Sequence, residues 1–131
     1  MIDTGFSQDQ RPTIVVVDDD AAVRGSLKFS LEIEGFAVRS YPNAAALLQA
    51  EPNPTCSCLV IDQNMPGMSG LRLLADLRQR GVAAPAVLIC GHVTAMVRQE
   101  AARAQVRLVE KPFLGNVLID SIRAAMAGLP P

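Results

Sequence analysis

Ile14-Val15-Val16-Val17 runs directly into Asp18-Asp19-Asp20, and this junction constrains the fold more than any other stretch of the chain. Four consecutive β-branched residues without polar alternation suit a strand covered on both faces, and therefore a parallel sheet with helices on each side. The period then changes. Val23, Leu27 and Leu31 recur four apart, Asp20 stands where an N-cap belongs, and Gly35 supplies the left-handed stop. The same alternation returns along the chain: strands are predicted over 36–40, 58–61, 86–89 and 106–109, and helices over 44–50, 71–81, 94–104 and 117–128. Strands and helices alternating on short connections give an α/β domain, a doubly wound (βα)5 sandwich with a five-stranded parallel sheet. Ligands of such sheets bind beyond the carboxyl ends of the strands, where the winding reverses, so function is expected just after Val17, Ile61, Ile89 and Val109.

A length of 131 residues fits one domain, expected over 13–128 with an N-terminal extension 1–12 and a short tail 129–131. Half of the residues are hydrophobic, which is ample for a core and excludes wholesale disorder. A net charge of -1 gives no electrostatic basis for binding nucleic acid or an acidic membrane. The apolar runs fall far short of the roughly 20 residues of a membrane span, and residues 1–12 lack the pattern of a secretory signal, so a cytoplasmic address is expected. Cys56, Cys58 and Cys90 have no framework spacing and read as reduced thiols. Cys56 and Cys58 are expected on one side of the start of a strand, as packing thiols, because no His or Cys pair matches them. Met65, Met68 and Met96 read as loop or core packing.

The strand ends carry an unusual polar inventory. Of eight aspartates, three follow the first strand directly and a fourth, Asp62, ends the third. Of two lysines, Lys111 follows the fifth strand, between Glu110 and Pro112. One aspartate at a strand-to-helix turn is more often a cap than a site, and Asp20 reads as one. A single lysine after a strand is ordinarily a surface lysine. Acidic groups from two strand ends and a lysine from another make a different pattern: like charges packed at one rim raise one another's pKa and favour a cation between them. Oxygen ligands without His or Cys at ligand spacing point to Mg²⁺, with Mn²⁺ as a substitute. A phosphoryl group on one carboxylate would lie between that metal and the Lys111 ammonium.

With Val15-Val16-Val17-Asp18-Asp19-Asp20, Val60-Ile61-Asp62-Gln63-Asn64-Met65-Pro66-Gly67-Met68-Ser69-Gly70 and Glu110-Lys111-Pro112-Phe113 in this order, the sequence resembles the receiver domain of bacterial two-component response regulators. Gly91-His92 and Glu110-Lys111-Pro112-Phe113 are most similar to the FixJ-like subgroup. The resemblance implies a flavodoxin-like, CheY-like strand order 2-1-3-4-5 and a signalling module rather than a metabolic enzyme. It implies that Asp62 accepts a phosphoryl group from a histidine kinase or a small phosphodonor. Asp19 would bind Mg²⁺ with Asp62 and the backbone carbonyl of Asn64, while Asp18 orients the metal or its waters. Lys111 would pair with Asp62 at rest and with a phosphoryl oxygen afterwards, and the Lys111-Pro112 bond is a candidate cis peptide. Asn64 and His92 occupy positions that influence how fast the acyl phosphate hydrolyses. An output domain or downstream protein, and a homodimer through the fourth helix, fifth strand and fifth helix, are the implied partners; Arg98, Arg103 and Arg107 either make that face mildly basic for docking or are simply a solvated charged face.

Two positions depart from the family pattern. The fourth strand of a receiver normally ends in Ser or Thr, whose hydroxyl reaches the phosphoryl group; here Cys90 stands there, before Gly91 and His92. A thiol is a weak donor. The fifth strand usually presents Tyr or Phe, and here presents Leu108. Either phosphorylation is retained with a weakened or rerouted conformational readout, or Cys90 simply fills the Ser site and the helix after it still moves. One alternative is a pseudo-receiver that binds partners independently of phosphate. Another is a haloacid-dehalogenase-type phosphatase, which Asp18-x-Asp20 also resembles, although the late strand lacks the further acidic pair and Asp62 then has no role.

Overall fold

The computed structural model describes residues 10–113 and 115–131. Five strands alternate with five helices: β1 (Thr13–Val17), α1 (Ala21–Ile33), β2 (Ala37–Tyr41), α2 (Ala44–Ala50), β3 (Cys58–Asp62), α3 (Gly70–Gln79), β4 (Ala86–Cys90), α4 (Ala95–Arg103), β5 (Arg107–Glu110) and α5 (Val117–Met126). All pairings are parallel and the order is β2-β1-β3-β4-β5, the flavodoxin-like topology expected. From β1 the chain first winds outward to β2 and then returns to place β3 on the other side of β1, so the winding reverses between β1 and β3.

The period-2 geometry of the strands builds two cores. Val15, Val17, Leu59, Ile61 and Leu88 face Ala44 and Leu47 of α2, Leu73, Leu74 and Leu77 of α3, and Ala101 of α4. Ile14, Val16, Val60, Val87 and Ile89 face Leu27 and Leu31 of α1 and Leu118 and Ile122 of α5. The continuous apolar character of β1, β3 and β4 follows, since both faces of each are covered.

The edge strands begin one residue later than predicted, for a reason visible at the helix ends. The Phe36 amide donates to Leu31 O at 3.0 Å and the Val106 amide to Ala101 O at 3.0 Å, so both cap the preceding helices and are lost to the sheet. Gly35 (φ 97°) makes the left-handed turn after α1, whereas Gln105 (φ 55°) makes it after α4 without a glycine. At their other ends β3 and β4 run on to Asp62 and Cys90, each paired across the ladder, with Ile89 and Glu110 respectively.

Three smaller expectations are corrected. Cys56 packs against the core under α2, α3 and α4, while Cys58 belongs to the core under α1 and α5, so they lie on opposite faces; all three cysteines are free. Met96 is 68% exposed on α4 instead of packed. Arg107 does not join a basic face with Arg98 and Arg103: its guanidinium donates to Leu129 O at 3.0 Å and Pro130 O at 2.7 Å, tying the tail to the start of β5. Among the described residues no helix is long and apolar enough to cross a membrane.

Candidate functional site: an acidic rim at the switch point

Asp18 continues β1 by one residue, its amide donating to Tyr41 O at 3.1 Å, and its side chain is fully buried. One carboxylate oxygen, Oδ1, accepts from the Asp20 amide at 2.9 Å. Its backbone carbonyl accepts from the Arg24 guanidinium at 2.7 Å, so the first helix holds the acidic turn from behind. Asp20 caps α1, accepting from the Ala22 and Val23 amides at 2.9 and 3.3 Å. Asp19, between them, is exposed.

Asp62 ends β3 across the switch point and is 2% exposed, with Oδ1 accepting from the Asn64 amide at 3.3 Å. Carboxylate oxygens of Asp18, Asp19 and Asp62 lie within 4.8 Å of one another. Lys111 arrives from the end of β5, just before a cis Lys111-Pro112 bond. Its ammonium is 2.8 Å from Asp18 Oδ2 and 3.6 Å from Asp62 Oδ1. The expected pairing of Lys111 with Asp62 is present, and the same ammonium lies closer still to Asp18, which the sequence reading did not name as its partner.

One ammonium does not balance this charge. Burial, and then the neighbouring Asp18, push the Asp62 carboxyl up to about 6, against the opposing pull of Lys111. Burial pulls the Lys111 ammonium down, but hydrogen bonding and charge from Asp18 and Asp62 outweigh it and the net shift is upward. Asp18 Oδ2 is buried, and the Lys111 ammonium at 2.8 Å is its ion-pair partner. Three carboxylates gathered around a single ammonium make a place where a hard divalent cation fits.

Cys90, fully buried at the end of β4, turns its sulfur sideways. It accepts from Asn64 Nδ2 at 3.5 Å and donates to His92 O at 3.1 Å. Gly91 and His92 are exposed in the loop that follows. Leu108 is half-buried against the core beneath α4.

Two residues of the Asp62 motif that were given no role of their own in the sequence also shape the site. Gln63 is buried; its amide extends the ladder to Ile89 O at 2.8 Å, and its side-chain Oε1 accepts from the Leu71 amide at 2.9 Å. It thereby caps α3 beside Asp62. Gly70 opens α3, and its own amide donates to Gln63 O at 3.1 Å. Gly70 closes the Asp62 motif in the sequence, but the reason for its missing side chain is a tertiary contact that the motif does not state.

A doubly wound (βα)5 sheet with carboxylates from two adjacent strand ends and a lysine from a third defines a class of signalling receiver. The chain belongs to the response regulator receiver domain family, which it matches over residues 14–123, as found in two-component systems. It is 40% identical over 114 residues to the transcriptional regulatory protein FixJ of Rhizobium meliloti (strain 1021), covering 86% of this chain and 56% of that protein. The chain thus spans little more than half the length of that relative. It is 38% identical to the protein in the crystal structure of FixJ-N, with a TM-score of 0.81, covering 92% of this chain and 97% of that one. The fold is also that of the response regulator TrrA from Thermotoga maritima, solved in complex with Mg²⁺-BeF (TM-score 0.76, 24% identity, 87% of this chain and 98% of that one).

Proposed function

We propose that the chain is a phospho-accepting receiver, comprising residues 13–128, in which Asp62 takes a phosphoryl group from the phosphohistidine of a histidine kinase. The observation that carries this reading is the gathering of Asp18, Asp19 and Asp62 oxygens within 4.8 Å, beside an ammonium, at the switch point of the sheet. In the transfer, an Asp62 carboxylate oxygen forms a bond to phosphorus while the bond from phosphorus to the kinase's imidazole nitrogen breaks, its electron pair returning to the ring. Asp19, Asp62 and the Asn64 backbone carbonyl would hold Mg²⁺, with Asp18 orienting it. When bound, the metal supplies positive charge to the transferring oxygens. Lys111, already between Asp18 and Asp62, is within reach of a phosphoryl oxygen on the acceptor and offers the second positive charge. The binding of Mg²⁺-BeF by TrrA supports the cofactor assignment.

The domain acts as a signalling module that takes part in its own phosphorylation and dephosphorylation, in the cytoplasm. A downstream output domain or protein reads it, with a homodimer through the α4, β5 and α5 face as a further partner. The thiol that replaces the usual hydroxyl supports a weakened switch, because its proton is already directed to the His92 carbonyl. Leu108 has no polar tip to follow it. These same two residues favour a second reading, a module that binds partners irrespective of phosphate. The phosphatase reading loses ground, since its second carboxylate, Asp20, is engaged as a helix cap.

Incubation with acetyl phosphate followed by intact mass measurement tests the proposal. One phosphoryl adduct that requires Mg²⁺ and disappears in Asp62→Asn is expected. Absence of an adduct, together with failure to bind beryllofluoride, selects the phosphate-independent module. An adduct that persists in Asp62→Asn returns the nucleophile to Asp18.

A further inference from the structure

The sulfur of Cys90 joins the two loops that flank the acceptor. It receives the Asn64 carboxamide N–H at 3.5 Å and gives its own proton to His92 O at 3.1 Å. Asn64 lies two residues past Asp62, is exposed, and grips Asp62 Oδ1 through its backbone amide at 3.3 Å. The carboxylate and the sulfur therefore hold this residue from two sides. A carboxamide has a donating end and an accepting end, and with Nδ2 bound to the sulfur the end that remains is Oδ1, a pure acceptor.

We propose that Cys90 is a positioning residue for the loss of the phosphoryl group from Asp62, acting by fixing the orientation of the Asn64 carboxamide. The proposal rests on the phospho-acceptor reading above. In hydrolysis a water oxygen attacks phosphorus, and the bond from phosphorus to the Asp62 oxygen breaks with its electron pair returning to the carboxylate. The water's protons leave with inorganic phosphate or pass to solvent. An acceptor fixed at the mouth orients an O–H of that water, whereas a freely turning carboxamide offers its NH2 end half of the time. Cys90 thus favours turnover without touching the phosphoryl group, its proton being committed to the loop that carries His92. One neutral hydrogen bond of this kind is worth roughly a two- to tenfold change in rate.

The test compares the full chain with Cys90→Ala, Asn64→Ala and the double variant, with melting curves verifying that each is folded. Each protein is phosphorylated with acetyl phosphate and Mg²⁺ and desalted, and the decay of the adduct is followed by intact mass. Cys90→Ala is expected to lengthen the adduct's lifetime two- to tenfold, Asn64→Ala to lengthen it at least as much, and the double variant to behave as Asn64→Ala alone. In the unphosphorylated protein, the side-chain NH2 signals of Asn64 are expected to move in Cys90→Ala. An undiminished effect of Cys90→Ala in the Asn64→Ala background overturns the proposal, as do unmoved Asn64 signals. If the unsubstituted chain forms no adduct at all, the phospho-acceptor reading fails and takes this proposal with it.

Discussion

A β-carbon on Gly70 would lie 2.5 Å from the carbonyl oxygen of Asp62 and 2.9 Å from Leu88 Cδ1, so α3 starts in direct backbone contact with the acceptor. Backbone cannot yield as the tip of a flexible side chain can. Gly70→Ala is expected to destabilise the domain by about 1–3 kcal/mol and to slow acceptance of the phosphoryl group. Urea denaturation reads the first effect, and an unchanged midpoint would rule out the contact as a constraint.

The raised Asp62 carboxyl carries a pH signature. Its folded value of about 6 exceeds the ordinary 3.8 mainly through burial, so the folded state prefers the protonated acid. The stability it contributes is complete below the ordinary value and is lost as pH rises through the folded one. In EDTA, Asp62→Asn should therefore stabilise the domain above pH 7, on the order of 1–2 kcal/mol, with the gain fading as pH falls to about 4. Denaturation at a series of pH values checks this; a gain independent of pH would contradict it.

Glu51 behaves in the opposite sense. Arg39 donates to both of its oxygens at 2.8 Å and Tyr41 donates to it as well, and the Arg39 hydrogen bonds hold its carboxyl below the ordinary value despite partial burial. Its contribution is present above the ordinary value and lost as pH falls through the folded one. Because the Arg39 side chain is 40% exposed, Glu51→Gln should cost less than about 1 kcal/mol at pH 7, and the difference from the unsubstituted chain should shrink below about pH 4. Paired thermal melts at pH 7 and pH 3.5 measure it.

Divalent cations should stabilise the fold by mass action, by about 2.7 kcal/mol at a hundred times the dissociation constant. The melting temperature is expected to rise with Mg²⁺ and to respond little to it in Asp19→Asn, whose carboxylate is exposed and whose loss leaves the core intact. Equal Mg²⁺ shifts in both proteins would remove Asp19 from the ligand set.

The architecture and the acidic rim were legible because both are written locally. Unbroken β-branched runs announce buried parallel strands, and charged residues placed directly after them can only emerge at one edge of the sheet. That Lys111 reaches Asp18 at 2.8 Å as well as Asp62 at 3.6 Å was not legible, since those distances are set by side-chain placement across three strands. The roles of Gln63 and Gly70, both within the Asp62 motif, were not legible for a related reason. Their roles lie in contacts of backbone with backbone and side chain with backbone, which leave no periodic trace. The late starts of β2 and β5 follow from Phe36 and Val106 serving the helices before them, a competition for one N–H that residue type alone does not decide.

Gln63 makes the two walls around the acceptor mechanically unequal. Through its backbone it is bonded to β4 and Gly70, and through its side chain to Leu71, so the segment leaving Asp62 is riveted to the sheet and to α3 together. The opposite wall, at Gly91 and His92, is exposed, and among the described residues the Cys90 sulfur donates to its His92 carbonyl. Room for three added oxygens must be made where the structure is softer, so the compliant side of the socket is the one leading into α4.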